Sequence, residues 1–154
     1  MTRAVERELG NNAMTAKEYL MQYQNAVRIA QRLKIEYEEE LEQIDAIRSP
    51  MGGDGLPRSG GVNKSVEDRA IRLADKALRW KEAELDAIRI RQEVFDTIRS
   101  IPGEAGEVLY LRYIKLKQFN EISKIIGYSR RHIDRLHHKG LDQIKDVLLC
   151  HINM

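Results

Sequence analysis

Apolar residues recur in steps of three and four along two long stretches of this chain. In the first stretch they are Leu20, Tyr23, Val27, Ala30, Leu33, Tyr37, Leu41, Ile44 and Ile47, which is the spacing of one helical face. Glu36, Glu38, Glu39, Glu40 and Glu42 lie between them and read as a solvated acidic face. In the second stretch Val66, Ala70, Leu73, Ala77, Trp80, Leu85, Ile88, Phe95 and Ile98 repeat the pattern. Between the two, the segment Pro50 to Gly61 holds five of the ten Gly and two of the three Pro, so no helix can pass through it. A second break falls at Ile101-Pro102-Gly103. The pattern therefore predicts three helical pieces, at 15–48, 64–99 and 104–150, with a Gly/Pro-rich loop over 49–63.

An amphipathic helix of about thirty-five residues needs a partner for its apolar stripe. The economical arrangement over 14–99 is an antiparallel helical hairpin, coiled-coil-like, with Trp80 as a packing anchor in its seam. Ala30, Ala70 and Ala77 permit close approach of the two helices. Residues 1–13 lack the apolar period and read as a flexible extension. The expected class is all-α.

The third piece carries the chemistry. From Phe119 to His138, Ile122, Ile126, Tyr128, Ile133 and Leu136 are apolar and Gly127 stands between two helical stretches. Ile122 and Ile126 share a face, with the small Ser123 beside them, where a second helix can cross. Gly127 accepts a left-handed backbone, and Ser129 is a natural N-cap for the helix that follows. This is the arithmetic of a helix-turn-helix. The helix over 129–149 buries Ile133 and Leu136. At about 100° per residue its opposite face holds Arg131, Asp134, Arg135 and His138, flanked by Arg130 and Lys139.

Net charge adds to this only once it is resolved along the chain. The total is +2, but Leu109 to Gly140 holds eight Lys/Arg against Glu121 and Asp134 alone. A basic helix after a helix-turn-helix turn is the electrostatic footprint of duplex DNA. Arg130, Arg131 and Arg135 suit guanine edges and phosphates, because the guanidinium donates two parallel hydrogen bonds. Ser129, His132 and His138 are placed to assist, and Lys115, Lys117, Lys124 and Lys139 to meet phosphate. Asp134 either pairs with Arg130 or Arg131 along the helix or accepts from a cytosine amino group, the first being the simpler reading.

The run Val108-Leu-Tyr-Leu-Arg-Tyr-Ile114, with Phe119-Asn-Glu-Ile122, Ile126-Gly-Tyr-Ser-Arg130 and Leu141-Asp-Gln-Ile144, resembles region 4 of RNA polymerase sigma factors over about 104–148. The long hairpin does not resemble sigma regions 2 or 3. The whole chain resembles the ArpU-type transcriptional regulators of phages and prophages of Gram-positive bacteria. Members often begin with a segment similar to Met14-Thr15-Ala16-Lys17-Glu18-Tyr19-Leu20, carry a Gly/Ser/Pro-rich central loop, and end in a segment similar to Gly127-Tyr-Ser-Arg-Arg-His132. The resemblance implies that residues 1–13 are an extension and that the protein regulates phage late genes in the cytoplasm of a bacterial host cell. It also implies host RNA polymerase as a partner beside double-stranded DNA. A helix-turn-helix of this size makes few base contacts, so a homodimer or other partner through the hairpin is expected.

Other chemistry finds little support. The longest apolar runs, such as Val147-Leu-Leu-Cys150, are too short for a membrane span, and the first residues have no apolar core for a signal peptide. One Cys excludes a disulfide framework. Among His132, His137 and His138 no pair has the one-face spacing of a helical zinc site. No metal, no cofactor and no enzymatic activity are expected. Two other functions stay open at this point: a DNA-packaging or assembly factor like a small terminase subunit, and a polymerase-binding module that does not contact DNA.

Overall fold

A computed structural model describes residues 14–48 and 62–152. Among them are five α-helices and no strand: α1 (Ala16–Arg48), α2 (Val62–Arg99), α3 (Gly103–Leu109), α4 (Phe119–Ile126) and α5 (Arg130–Ile152). A π-helical turn, Tyr110–Ile114, follows α3 directly. The all-α class is the one expected from the periodicity. The extension expected over 1–13, and loop positions 49–61, lie outside the described residues. Helix α2 is already formed at Val62, two positions before the expected start.

Local chemistry sets the helix ends. The Glu18 carboxylate accepts from the Thr15 backbone N–H at 2.8 Å, and the Glu18 N–H donates to the Thr15 hydroxyl at 3.2 Å. This reciprocal capping box satisfies two of the donors that a helix N-terminus leaves open. The Thr15 N–H and the Thr15 hydroxyl, which donates to the same carboxylate at 2.9 Å, hold the Glu18 carboxyl below the usual range. Helix α2 ends at Arg99, and Pro102, extended and without an N–H, keeps the ladder from resuming.

The described residues pack as two units, one within Ala26–Ile88 and the other made of those up to Asn25 together with those from Arg89 onward. In the unit Ala26–Ile88 the two long helices run antiparallel. Tyr37 stacks on Trp80 with ring centroids 5.4 Å apart, and Glu40 meets Lys76 at 2.9 Å and Arg72 at 3.6 Å. Lys76 holds the Glu40 carboxyl below its ordinary range. Trp80 is thus the expected packing anchor, and Ala26, Ala30 and Ala87 are buried beside the seam.

Part of the expected second stripe faces solvent instead. Val66, Ala70, Leu85 and Ile88 are exposed. Ala87 takes the inward position, which turns Leu85 about 200° and Ile88 about 100° away from it. Helix α2 holds more apolar residues than one face can cover.

In the other unit Leu20, Val94, Ile98, Ile101, Ala105, Leu109, Tyr113, Ile114 and Ile144 form the main core. Val108, Ile122 and Ile133 form a smaller one, with Phe119, Ile126 and Leu136 against it. Two glycines allow the backbone approaches. A Cβ on Gly140 of α5 would lie 2.8 Å from Leu109 Cδ1 and 3.3 Å from the Ala105 carbonyl oxygen, and one on Gly106 would strike the carbonyl of Ile101.

Candidate nucleic-acid interface

Helices α4 and α5 meet through a short turn built by three local interactions. Gly127 is left-handed (φ 84°, ψ 18°), and its N–H donates to the Ser123 carbonyl at 2.9 Å. The Ser123 hydroxyl donates to the Tyr128 carbonyl. Ser129 caps α5, its hydroxyl accepting from the His132 N–H at 3.3 Å. Ile122 and Ile133, one from each helix, are fully buried against Val108. Ser123, Gly127, Ser129, Ile122 and Ile133 thus occupy the places expected of them in the turn and its core.

Burial of Ile133 and Ile144 orients α5 and fixes which side faces solvent. Arg130, Arg131, Arg135, His138 and Lys139 are exposed on that side, and Asp134 is half-buried. The expected cations therefore share one surface, but they are not equivalent. Arg130 is held: its Nε lies 3.1 Å from Asp134, an Nη donates to the Asn120 side-chain oxygen at 3.2 Å, and its guanidinium sits 4.6 Å from the centroid of the Phe119 ring. Asp134 accordingly makes the intrahelical pair. Among the described residues Arg131, Arg135, Lys124 and Lys139 find no ion pair or side-chain hydrogen bond.

The remaining expected contacts vary in freedom. Lys117 lies 3.8 Å from Glu121, and the Lys115 ammonium 5.8 Å from the Tyr110 ring. His132 is half-buried, edge-on to Tyr128 at 4.6 Å. The His138 Nδ1 lies 2.7 Å from the Asp134 carbonyl oxygen, so its other nitrogen is the one turned outward.

Three supporting residues were given no role by sequence reasoning. Phe119 carries two guanidiniums over its ring, Arg112 at 4.7 Å and Arg130 at 4.6 Å. Arg112 also donates to the Lys117 carbonyl at 3.0 Å, tying the π-helical turn to the start of α4. Asn120 fixes Arg130 from the neighbouring helix. Phe119 and Asn120 lie in the motif already singled out, but their roles depend on contacts across elements.

Comparison with known proteins bears on this segment. The sequence is similar to those of sigma-F factors. It is 29% identical over 147 residues to the RNA polymerase sigma-F factor of Bacillus licheniformis, covering 92% of this chain and 54% of that protein. It is 28% identical over 144 residues to the RNA polymerase sigma-F factor of Bacillus subtilis (strain 168), covering 90% of this chain and 52% of that protein. The chain thus spans about half the length of the curated relatives it matches. The similarity is not confined to 104–148 but runs through most of the chain. No protein-family model matches the chain, and no solved structure matches it.

Two further facts bound the chemistry. Among the described residues no group of three His, Cys, Asp or Glu side chains is placed to hold a metal ion, and no helix is long and apolar enough to cross a membrane.

Proposed function

We propose that this protein is a sequence-specific DNA-binding transcriptional regulator of phage or prophage genes. It is a non-enzymatic protein of the bacterial cytoplasm, acting together with RNA polymerase. The observation that carries the reading is the row of uncommitted cations on α5, in a chain similar to sigma factors. In this reading α4 and α5 are a helix-turn-helix and the exposed face of α5 enters the major groove.

The roles divide by geometry. Arg131 and Arg135 are free to reach base edges, where a bidentate Arg–guanine pair contributes about 1–3 kcal/mol of discrimination. Arg130, fixed by Asp134, Asn120 and Phe119, is a pre-oriented phosphate clamp. Lys115, Lys117, Lys124 and Lys139 supply the phosphate contacts that set overall affinity. Ser129 and His132 hold the N-terminus of α5, where amide dipoles favour a phosphate, and the outward nitrogen of His138 donates at the edge of the footprint.

The test is fluorescence anisotropy on duplex DNA across a salt series. Four or five neutralised phosphates give a log–log slope of about −4. Failure to bind any duplex at low salt would refute the reading and leave a polymerase-binding module.

A further inference from the structure

The back of α2 carries a second apolar stripe that none of the other described residues covers. Ile71, Leu78 and Leu85 recur every seven residues, with Ala74, Lys81 and Ile88 three positions after each. All six are exposed, the four large ones by 67% (Ile71), 58% (Leu78), 68% (Leu85) and 65% (Ile88). The seam with α1 uses other positions, Trp80 and Ala87 among them. The back of α1 offers no counterpart: its exposed Ile29 and Ile35 are six apart, on different faces of the helix, the first beside Arg28 and Arg32 and the second beside Glu36 and Glu39. A strict seven-residue repeat of this kind is a coiled-coil seam, and a single chain rarely leaves one open to water.

We infer that this stripe is a homodimer seam, in which α2 pairs antiparallel with α2 of a second copy about a two-fold axis. Parallel pairing would set Lys81 against its own copy in the seam. Antiparallel pairing sets Ile71 against Ile88, the small Ala74 against the large Leu85, and Lys81 against Leu78. The outer layers then join two isoleucines, and the inner ones set a small residue against a large one or a lysine stem against a leucine. The two-fold axis passes between positions 78 and 81, so each Lys81 lies against Leu78 of the second copy near the centre of the seam. The Lys81 ammonium leaves along the helix side, 3.1 Å from Glu84 and 4.1 Å from the Trp80 ring centroid, so its methylene stem is what covers Leu78. The stripe runs for about 25 Å of helix. That length buries roughly 1,200 Å² in total, the lower edge of stable interfaces.

The inference is independent of the DNA-binding reading. Its test is sedimentation of the full chain beside L78E/L85E. These positions are already exposed, so helicity by circular dichroism stays unchanged and a loss of dimer reports the seam alone. The expected result is a wild-type dimer at tens of micromolar and a variant weakened by at least about a hundredfold. A spin label on D68C, in a C150S background, is then expected about 35 Å from its copy, against less than about 20 Å for parallel pairing. A wild-type chain that stays monomeric at about 200 µM would overturn the inference and leave the stripe to another protein. A dimer that survives L78E/L85E would overturn it too, and a short label distance would overturn the antiparallel pairing.

Discussion

The Nε2 atom of His137 lies 2.8 Å from the phenolic oxygen of Tyr113, in the interior behind the basic surface of α5. The ring stacks on Tyr113 and meets the edge of Phe119 at 5.0 Å, and Phe119 in turn lies under Arg130. A neutral buried imidazole thus connects the core to a held surface cation. Burial, followed by the nearby charges of His138 and Arg112, pushes the His137 pKa down to about 4 from 6.5.

Acid should therefore weaken this fold through His137. The folded chain keeps the ring neutral, while the unfolded chain takes up a proton below a pH of about 6.5. Its contribution is complete above that pH, is lost as pH falls toward about 4, and amounts to roughly 2–3 kcal/mol. Urea unfolding of wild type and H137Q at about pH 7 and about pH 4.5 measures it. The gap between the two proteins should narrow at the lower pH. A gap independent of pH would show that His137 does not titrate in this way.

Gly140→Ala should destabilise the unit that carries α5. The added Cβ meets Leu109 Cδ1 at 2.8 Å and Cγ at 2.9 Å, and such overpacking costs about 1–3 kcal/mol. Thermal melting should show a Tm lower by several degrees. An unchanged or higher Tm would mean that Leu109 rotates aside without cost.

The arginines of α5 should separate into two groups. Arg131→Ala and Arg135→Ala remove exposed side chains that make no hydrogen bond or ion pair among the described residues, so Tm should hold while sequence preference in DNA binding is lost. Arg130→Ala leaves Asp134 and Asn120 without their partner and bares Phe119. It should lower stability by about 1 kcal/mol and weaken binding to all sequences alike. Melting curves and anisotropy with two unrelated duplexes make the distinction. Full sequence-specific binding by R131A/R135A would remove those residues from the site.

What could be read from the chain alone was what neighbouring residues decide. Gly127 had to be left-handed, Ser129 had to cap, and Ile122 and Ile133 had to be buried together, because each follows from spacing within a turn or two of helix. The all-α class followed in the same way. The role of Gly140 was not visible, since it depends on Leu109, thirty-one positions earlier. Nor was the left-handed backbone at Leu116 (φ 55°), which follows the π-helical turn and which no glycine marks. Leu85 and Ile88 were assigned to the hairpin seam because steps of three and four cannot distinguish two stripes on one helix. Arg130 looked like a free cation until Asn120 and Phe119 were brought against it by the fold.

The central claim is that the exposed face of α5 reads DNA sequence. The most direct measurement is selection of duplexes from a random pool by the purified protein, with sequencing of what is retained. The account predicts an enriched motif that is lost with R131A/R135A and kept with an exposed substitution outside both the α5 face and the α2 stripe, such as Q31A. Retained DNA with no motif, or with the same motif for R131A/R135A as for the wild type, would contradict it.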